Sequence, residues 1–147
     1  VLVICDINLN TNRNMEIKMA FNTEQLKTVF STHPDWVVEQ EGDCVSISND
    51  EGIDVFVYAG ETQVVAESVL FPVSSVTDTS GLNELILKSH QLVPLSTVGI
   101  SSISGQEYYV AFGALSVDSK DSVLVEEIES LFANIPEFLE LYEDYIN

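Results

Sequence analysis

Basic residues are scarce in this chain: five Lys and Arg stand against 24 Asp and Glu, for a formal net charge of −19. Proteins that track nucleic acid or anionic lipid do so by neutralising phosphates with cations, so this balance argues against both as partners. Cysteine is nearly absent as well. Cys5 and Cys44 alone cannot build a disulfide framework. No apolar run approaches the roughly 18 residues of a membrane-spanning helix, so no direct membrane insertion is expected. The opening Val1-Leu2-Val3-Ile4-Cys5 is short and has no basic flank, which makes it a poor signal peptide. These absences leave the cytoplasm as the default location.

What is present suits one folded domain. The 147 residues are 46% hydrophobic, an ordinary share for a globular protein. A chain of this length buries roughly 70% of its unfolded surface and needs no metal or disulfide staple. Residues 1–19 differ from the rest, being rich in Asn and holding Met15 and Met19. They read as an N-terminal tail, with synthesis starting at Met15 or Met19, or else as a short first strand around Leu2 to Ile7. The single domain is expected over residues 20–147.

Local patterns supply the elements. Asn22 with Gln25 three residues on is a capping-box variant, and Phe21 and Leu26 can staple across it. Leu26, Val29 and Phe30 then share a helical stripe that Pro34 stops. From Trp36 to Phe71 the period becomes two, broken at Glu41-Gly42-Asp43, Asn49-Asp50-Glu51-Gly52 and Gly60-Glu61, as in an antiparallel meander. A second helix is offered caps by Asp78, Thr79 and Ser80, carries Leu82, Leu85, Ile86 and Ser89 on one face, and is ended by Pro94. Strands Thr97 to Ile103 and Glu107 to Leu115 meet at a Ser104-Gly105-Gln106 hairpin. A long helix from about Ser122 buries Leu124, Ile128, Leu131 and Ile135, and Pro136 is expected to kink or break it. The fold class is α+β: an antiparallel sheet of about five strands with helices on one face, in the order α-β-β-β-α-β-β-α.

Catalytic constellations are missing. Gly-x-Ser-x-Gly does not occur, and Gly99 to Gly105 straddles a strand and a turn where a nucleophile elbow needs a strand-to-helix turn. His33 and His90 each follow a helix, where an imidazolium favours the dipole, and neither has metal-ligand spacing to a partner. Cys44 alternates within a strand and reads as a small buried apolar group. Asp43 to Asp54 lacks acids at the EF-hand offsets. No phosphate-cradling loop exists. No catalytic, cofactor-binding or metal-binding residue is therefore expected, nor an enzyme.

Two features point to contact with another protein. After Lys120 no basic residue occurs, yet Glu126, Glu127, Glu129, Glu137, Glu140, Glu143 and Asp144 follow. Acids at the C-terminal end of a helix oppose its dipole at about 0.3–1 kcal/mol each, and neighbours at helical spacing repel. Such a surface either meets a basic partner or is merely solvated. Likewise, the overall acidity either steers a partner in or serves solubility and habitat. In addition, Tyr108, Tyr109 and Phe112 alternate on a strand, so at least one faces outward as an interface anchor unless a helix covers it.

Val65 to Pro72, Leu82 to His90, Leu92-Val93-Pro94-Leu95-Ser96-Thr97-Val98-Gly99-Ile100, Tyr108 to Ser116 and Val123 to Tyr142 resemble the YjfI family over roughly residues 20–147. Pro94-Leu95-Ser96 and Phe112-Gly113-Ala114-Leu115-Ser116 are the most specific parts. This bacterial family of unknown function is encoded beside PspA-like membrane-stress proteins. The resemblance therefore implies a partner or regulator of such a system and carries over no catalytic residue. More distantly, the element order is similar to the type III secretion chaperone fold, whose domains dimerise and hold client segments. Fold alone does not establish function. The sequence supports an acidic protein-binding module, a homodimer, with a PspA-like protein as the implied partner. The alternatives are a chaperone that holds a client segment and a small-ligand binder or enzyme with an unrecognised site.

Overall fold

The computed structural model describes residues 21–147. The expected tail, and the alternative strand at Leu2 to Ile7, lie outside the described residues. Helix α1 spans Thr23–Phe30 and opens on the expected capping box: Asn22 Oδ1 accepts from the Gln25 amide at 2.8 Å, while Gln25 Oε1 accepts from the Asn22 amide at 3.0 Å. Reciprocal satisfaction of two otherwise orphan donors sets where this helix starts. The meander follows as β1 (Val37–Glu41), β2 (Cys44–Ser48), β3 (Asp54–Ala59) and β4 (Gln63–Pro72). Helix α2 (Thr79–Ser89) is capped by Asp78, whose carboxylate accepts from the Gly81 amide. Strands β5 (Thr97–Ile103) and β6 (Gln106–Ser116) and helix α3 (Asp121–Tyr142) complete the chain.

All pairings are antiparallel, in the order β1-β2-β3-β4-β6-β5. The sheet thus has six strands, not about five, because Val37–Glu41 pairs fully with β2 despite being mostly exposed. The β5–β6 hairpin turns through Ser104 and Gly105, both at positive φ, as a two-residue turn matched to strand twist requires.

Helices α1 and α3 pack on one face of the sheet, α1 over β1 to β3 and α3 over β4 and β6. Val45, Ile47, Val55, Val57, Val64, Ala66, Tyr109 and Ala111 point into that layer and join Leu26, Phe30, Leu82, Ile86, Leu124, Ile128 and Leu131 in a single core. Each fully buried aliphatic side chain contributes about 1.5–3 kcal/mol. That burial also explains why α3 runs unbroken through Pro136. The proline sits on the exposed side, while Asn134 and Ile135 before it and Phe138 after it are buried. Packing on both sides holds a helix that intrinsic propensity alone would end. The α-helix closes at Tyr142, and Glu143–Tyr145 forms a 3-10 turn pinned to the start of α2 by Thr77 N–H donating to the Tyr145 carbonyl at 3.1 Å. Among the described residues no helix is long and apolar enough to cross a membrane.

Candidate protein-binding surface

Helix α3 presents two faces. Leu124, Ile128, Leu131, Ile135, Phe138 and Tyr142 are buried. Glu126, Glu129, Glu137 and Glu140 are exposed along one side of the helix, and Glu143 and Asp144 are exposed in the 3-10 turn that follows it. Three basic residues, Lys27, Lys88 and Lys120, fall within the described chain. Lys88 pairs with Glu84, and Lys120 sits at the opposite end of α3 from Glu137. Glu137, Glu140, Glu143 and Asp144 consequently take part in no ion pair among the described residues. The last two are held in place by the C-terminal turn, where Asn147 N–H donates to the Ser75 carbonyl at 2.9 Å.

The aromatic trio separates. Tyr109 is 1% exposed beneath the helices, packs tilted against Phe71 with ring centroids 5.1 Å apart and donates from its hydroxyl to Asn83 Oδ1 at 2.6 Å. It is a core residue, which corrects its grouping with the partner-binding aromatics. Tyr108 and Phe112 are half-buried and lie on the face away from the helices, Tyr108 donating to Gln106 Oε1 at 3.2 Å. Strand alternation makes this separation unavoidable. These two aromatics therefore do not share a surface with the α3 acids.

Two buried acids were not legible in the chain. Glu67 lies on the face away from the helices, opposite Phe56 on β3 and Phe112 on β6, and burial pushes its carboxyl up. Glu127 points from α3 into the helix-facing core, and Gly113 on β6 leaves the room it occupies; a Cβ at 113 would collide with its carboxylate. Glu127 Oε1 has no hydrogen-bond partner among the described residues. Desolvation first, and the neighbouring Glu126 charge second, raise its pKa. Reading Glu126 and Glu127 as a solvated pair on the outer face of this helix is corrected for Glu127, which falls at helical spacing between Leu124 and Leu131 and turns inward with them.

The histidines serve local structure. His90 Nε2 lies 3.2 Å from the Val98 carbonyl and ties the end of α2 to β5. His33 stacks on Trp36 with ring centroids 3.9 Å apart and an interplanar angle of 9°. Four large apolar side chains are also exposed between residues 87 and 100: Leu87 on α2, Leu92 and Leu95 in the connection after it, and Ile100 on the edge strand β5. Leu95 is held at φ 67°, a conformation that L-residues rarely adopt.

A helix layer on one face of a continuous antiparallel sheet defines an α+β fold. A chain of the solved HopA1–SchA chaperone–effector complex shares it with a TM-score of 0.56 at 14% identity, covering 78% of this chain and 90% of that one. The chain belongs to the family described as an uncharacterized protein conserved in bacteria (DUF2170), whose model matches residues 13–146. Uncharacterized protein YjfI of Escherichia coli K12 is 34% identical over 131 residues, covering 86% of this chain and 98% of the relative. The YjfI of E. coli O157:H7 matches to the same extent.

Proposed function

We propose that this protein works by binding another protein, not by catalysis, and that the outer side of α3 receives a basic segment of that partner. The observation that carries this is the row of unpaired carboxylates at the C-terminal end of α3. There they oppose the helix dipole and one another, at a cost to folding that a contact partner would repay. A basic partner gains on-rate from the surrounding field and register from the row itself. The YjfI resemblance makes a PspA-like membrane-stress protein the first candidate, with this chain as its partner or regulator.

The test is binding of a purified PspA-like protein to the wild type and to Glu137→Lys/Glu140→Lys/Glu143→Lys, at about 0.05 and 0.5 M salt, where screening lengths differ several-fold. Loss of affinity both on charge reversal and on added salt supports the proposal. Binding that ignores both overturns it. If a Lys- and Arg-rich peptide binds in this charge-dependent way and the PspA-like protein does not, the class of partner stands and that identity falls.

A second reading, a chaperone holding a client segment, is favoured by the exposed leucines of residues 87–100 beside edge strand β5 and by the likeness to a chaperone–effector complex. An edge strand offers unpaired backbone groups to a client strand or to a second copy, so the same edge is where we place a homodimer. Light scattering on wild type and Leu92→Glu/Ile100→Glu tests this. A dimeric mass lost in the variant supports it, and a monomeric wild type rejects the dimer.

A further inference from the structure

The two halves of α3 are held differently. The C-terminal half is tied by polar bonds: Asn134 Nδ2 donates to the Pro94 carbonyl at 2.7 Å and to Ser96 Oγ at 3.0 Å, and the turn after the helix is pinned by the Thr77 amide. The first two turns, Asp121 to Ile128, make no side-chain hydrogen bond or ion pair to another element among the described residues. Lys120 at the N-cap supplies no side-chain cap either. Leu124 and Ile128 anchor this stretch by apolar burial alone, and between them Glu127 is 5% exposed.

The setting of Glu127 is hostile to charge. Around it α1 contributes Phe30, β3 Val57, β4 Val64 and Ala66, and β6 Leu115 beside Gly113, and none of these titrates. The charge that acts on it is that of Glu126, exposed on the same helix and of the same sign. The gap at the carboxyl is about 10 Å³, at the lower limit of room for one water. An ionised carboxylate therefore cannot be hydrated where it lies, and burying it unpaired costs several kcal/mol. Local opening of a weakly tied segment relieves that cost more cheaply than unfolding the whole domain.

We infer that the first two turns of α3 are a proton-operated latch: with its proton, the Glu127 carboxyl stays seated against Gly113, and when the proton leaves to water, Asp121 to Ile128 lifts from the sheet to hydrate the carboxylate. Lifting uncovers apolar surface of β3, β4 and β6, while Asn134 and the C-terminal turn keep the rest of the helix docked. The latch does not depend on which partner α3 meets.

Amide hydrogen exchange on the full-length protein at pH 5 and pH 8, corrected for the intrinsic rate, tests this. At pH 8 the amides of Val125 to Ile128 should be about tenfold less protected than those of Phe138 to Leu141, and about tenfold less protected than at pH 5. Glu127→Gln, which fits the same space without a charge, should remove the pH response, and Glu126→Gln should keep it. Equal protection along the helix at pH 8 would mean release by global unfolding only, and overturns the latch. Wild-type protection that is the same at both pH values, or a pH response that survives Glu127→Gln, overturns it as well.

Discussion

Glu127 and Gly113 are a coupled pair. The carboxyl occupies the space a β-carbon would fill, among Phe30, Val57, Val64, Leu115, Leu124 and Ile128, none of which titrates. Gly113→Ala should destabilise by about 1–3 kcal/mol, because it evicts a buried side chain. In a Glu127→Ala background the same change should cost far less. A double-mutant cycle by urea denaturation measures the difference. The pH dependence follows from the direction of the Glu127 shift. With its folded pKa raised above the ordinary carboxylate range, the native state holds a proton that the unfolded chain releases, so this contribution to stability falls as pH rises through the folded pKa. Unfolding free energy should therefore be higher at pH 5 than at pH 7, and Glu127→Gln should reduce that difference while raising stability at pH 7 by about 1 kcal/mol. Neither effect is visible in the chain alone. Only the packing of β6 under α3 sets Glu127 against a glycine.

At the scale of elements, α3 sets stability against function. Glu140→Lys and Glu143→Lys should each stabilise the fold by about 0.3–1 kcal/mol by complementing the helix dipole, measured by thermal unfolding, while weakening partner binding. A stabilised variant that binds as well as wild type would place the partner elsewhere. Pro136→Ala should also stabilise, by up to about 3 kcal/mol, since the helix already runs through this position and regains a hydrogen bond. Most elements were legible because their signals are local: the Asn22–Gln25 box, the Asp78 cap, the Ser104-Gly105 turn and the period-two runs. The continuity of α3 was not. Propensity favours a break at Pro136, and tertiary burial of Ile135 and Phe138 overrides it. The count of about five strands fell one short although the period-two run from Trp36 to the Glu41-Gly42-Asp43 turn is β1, a mostly exposed strand at the sheet edge.

For the whole molecule, a net charge of −19 means self-repulsion opposes the compact state. Raising salt from about 0.05 to 0.5 M should therefore raise the melting temperature even as it weakens a charged partner's binding. Scanning calorimetry and binding measured on the same samples would show the two trends running in opposite directions. Bulk acidity that served solubility alone would predict the first trend without the second.

Charge balance, helix caps, turns and the alternation of strands are properties of short stretches of chain, and the sequence by itself determined them: an acidic α+β domain with an antiparallel sheet. Which side chains meet across the sheet and the helix layer was decided by tertiary structure. Folding sent Tyr109 inward and Phe112 outward, set Glu127 on Gly113, and gathered Trp36, Asp50 and Glu129 around one hollow. Those neighbours lie tens of residues apart, and no local propensity encodes a distance that only the packed core imposes.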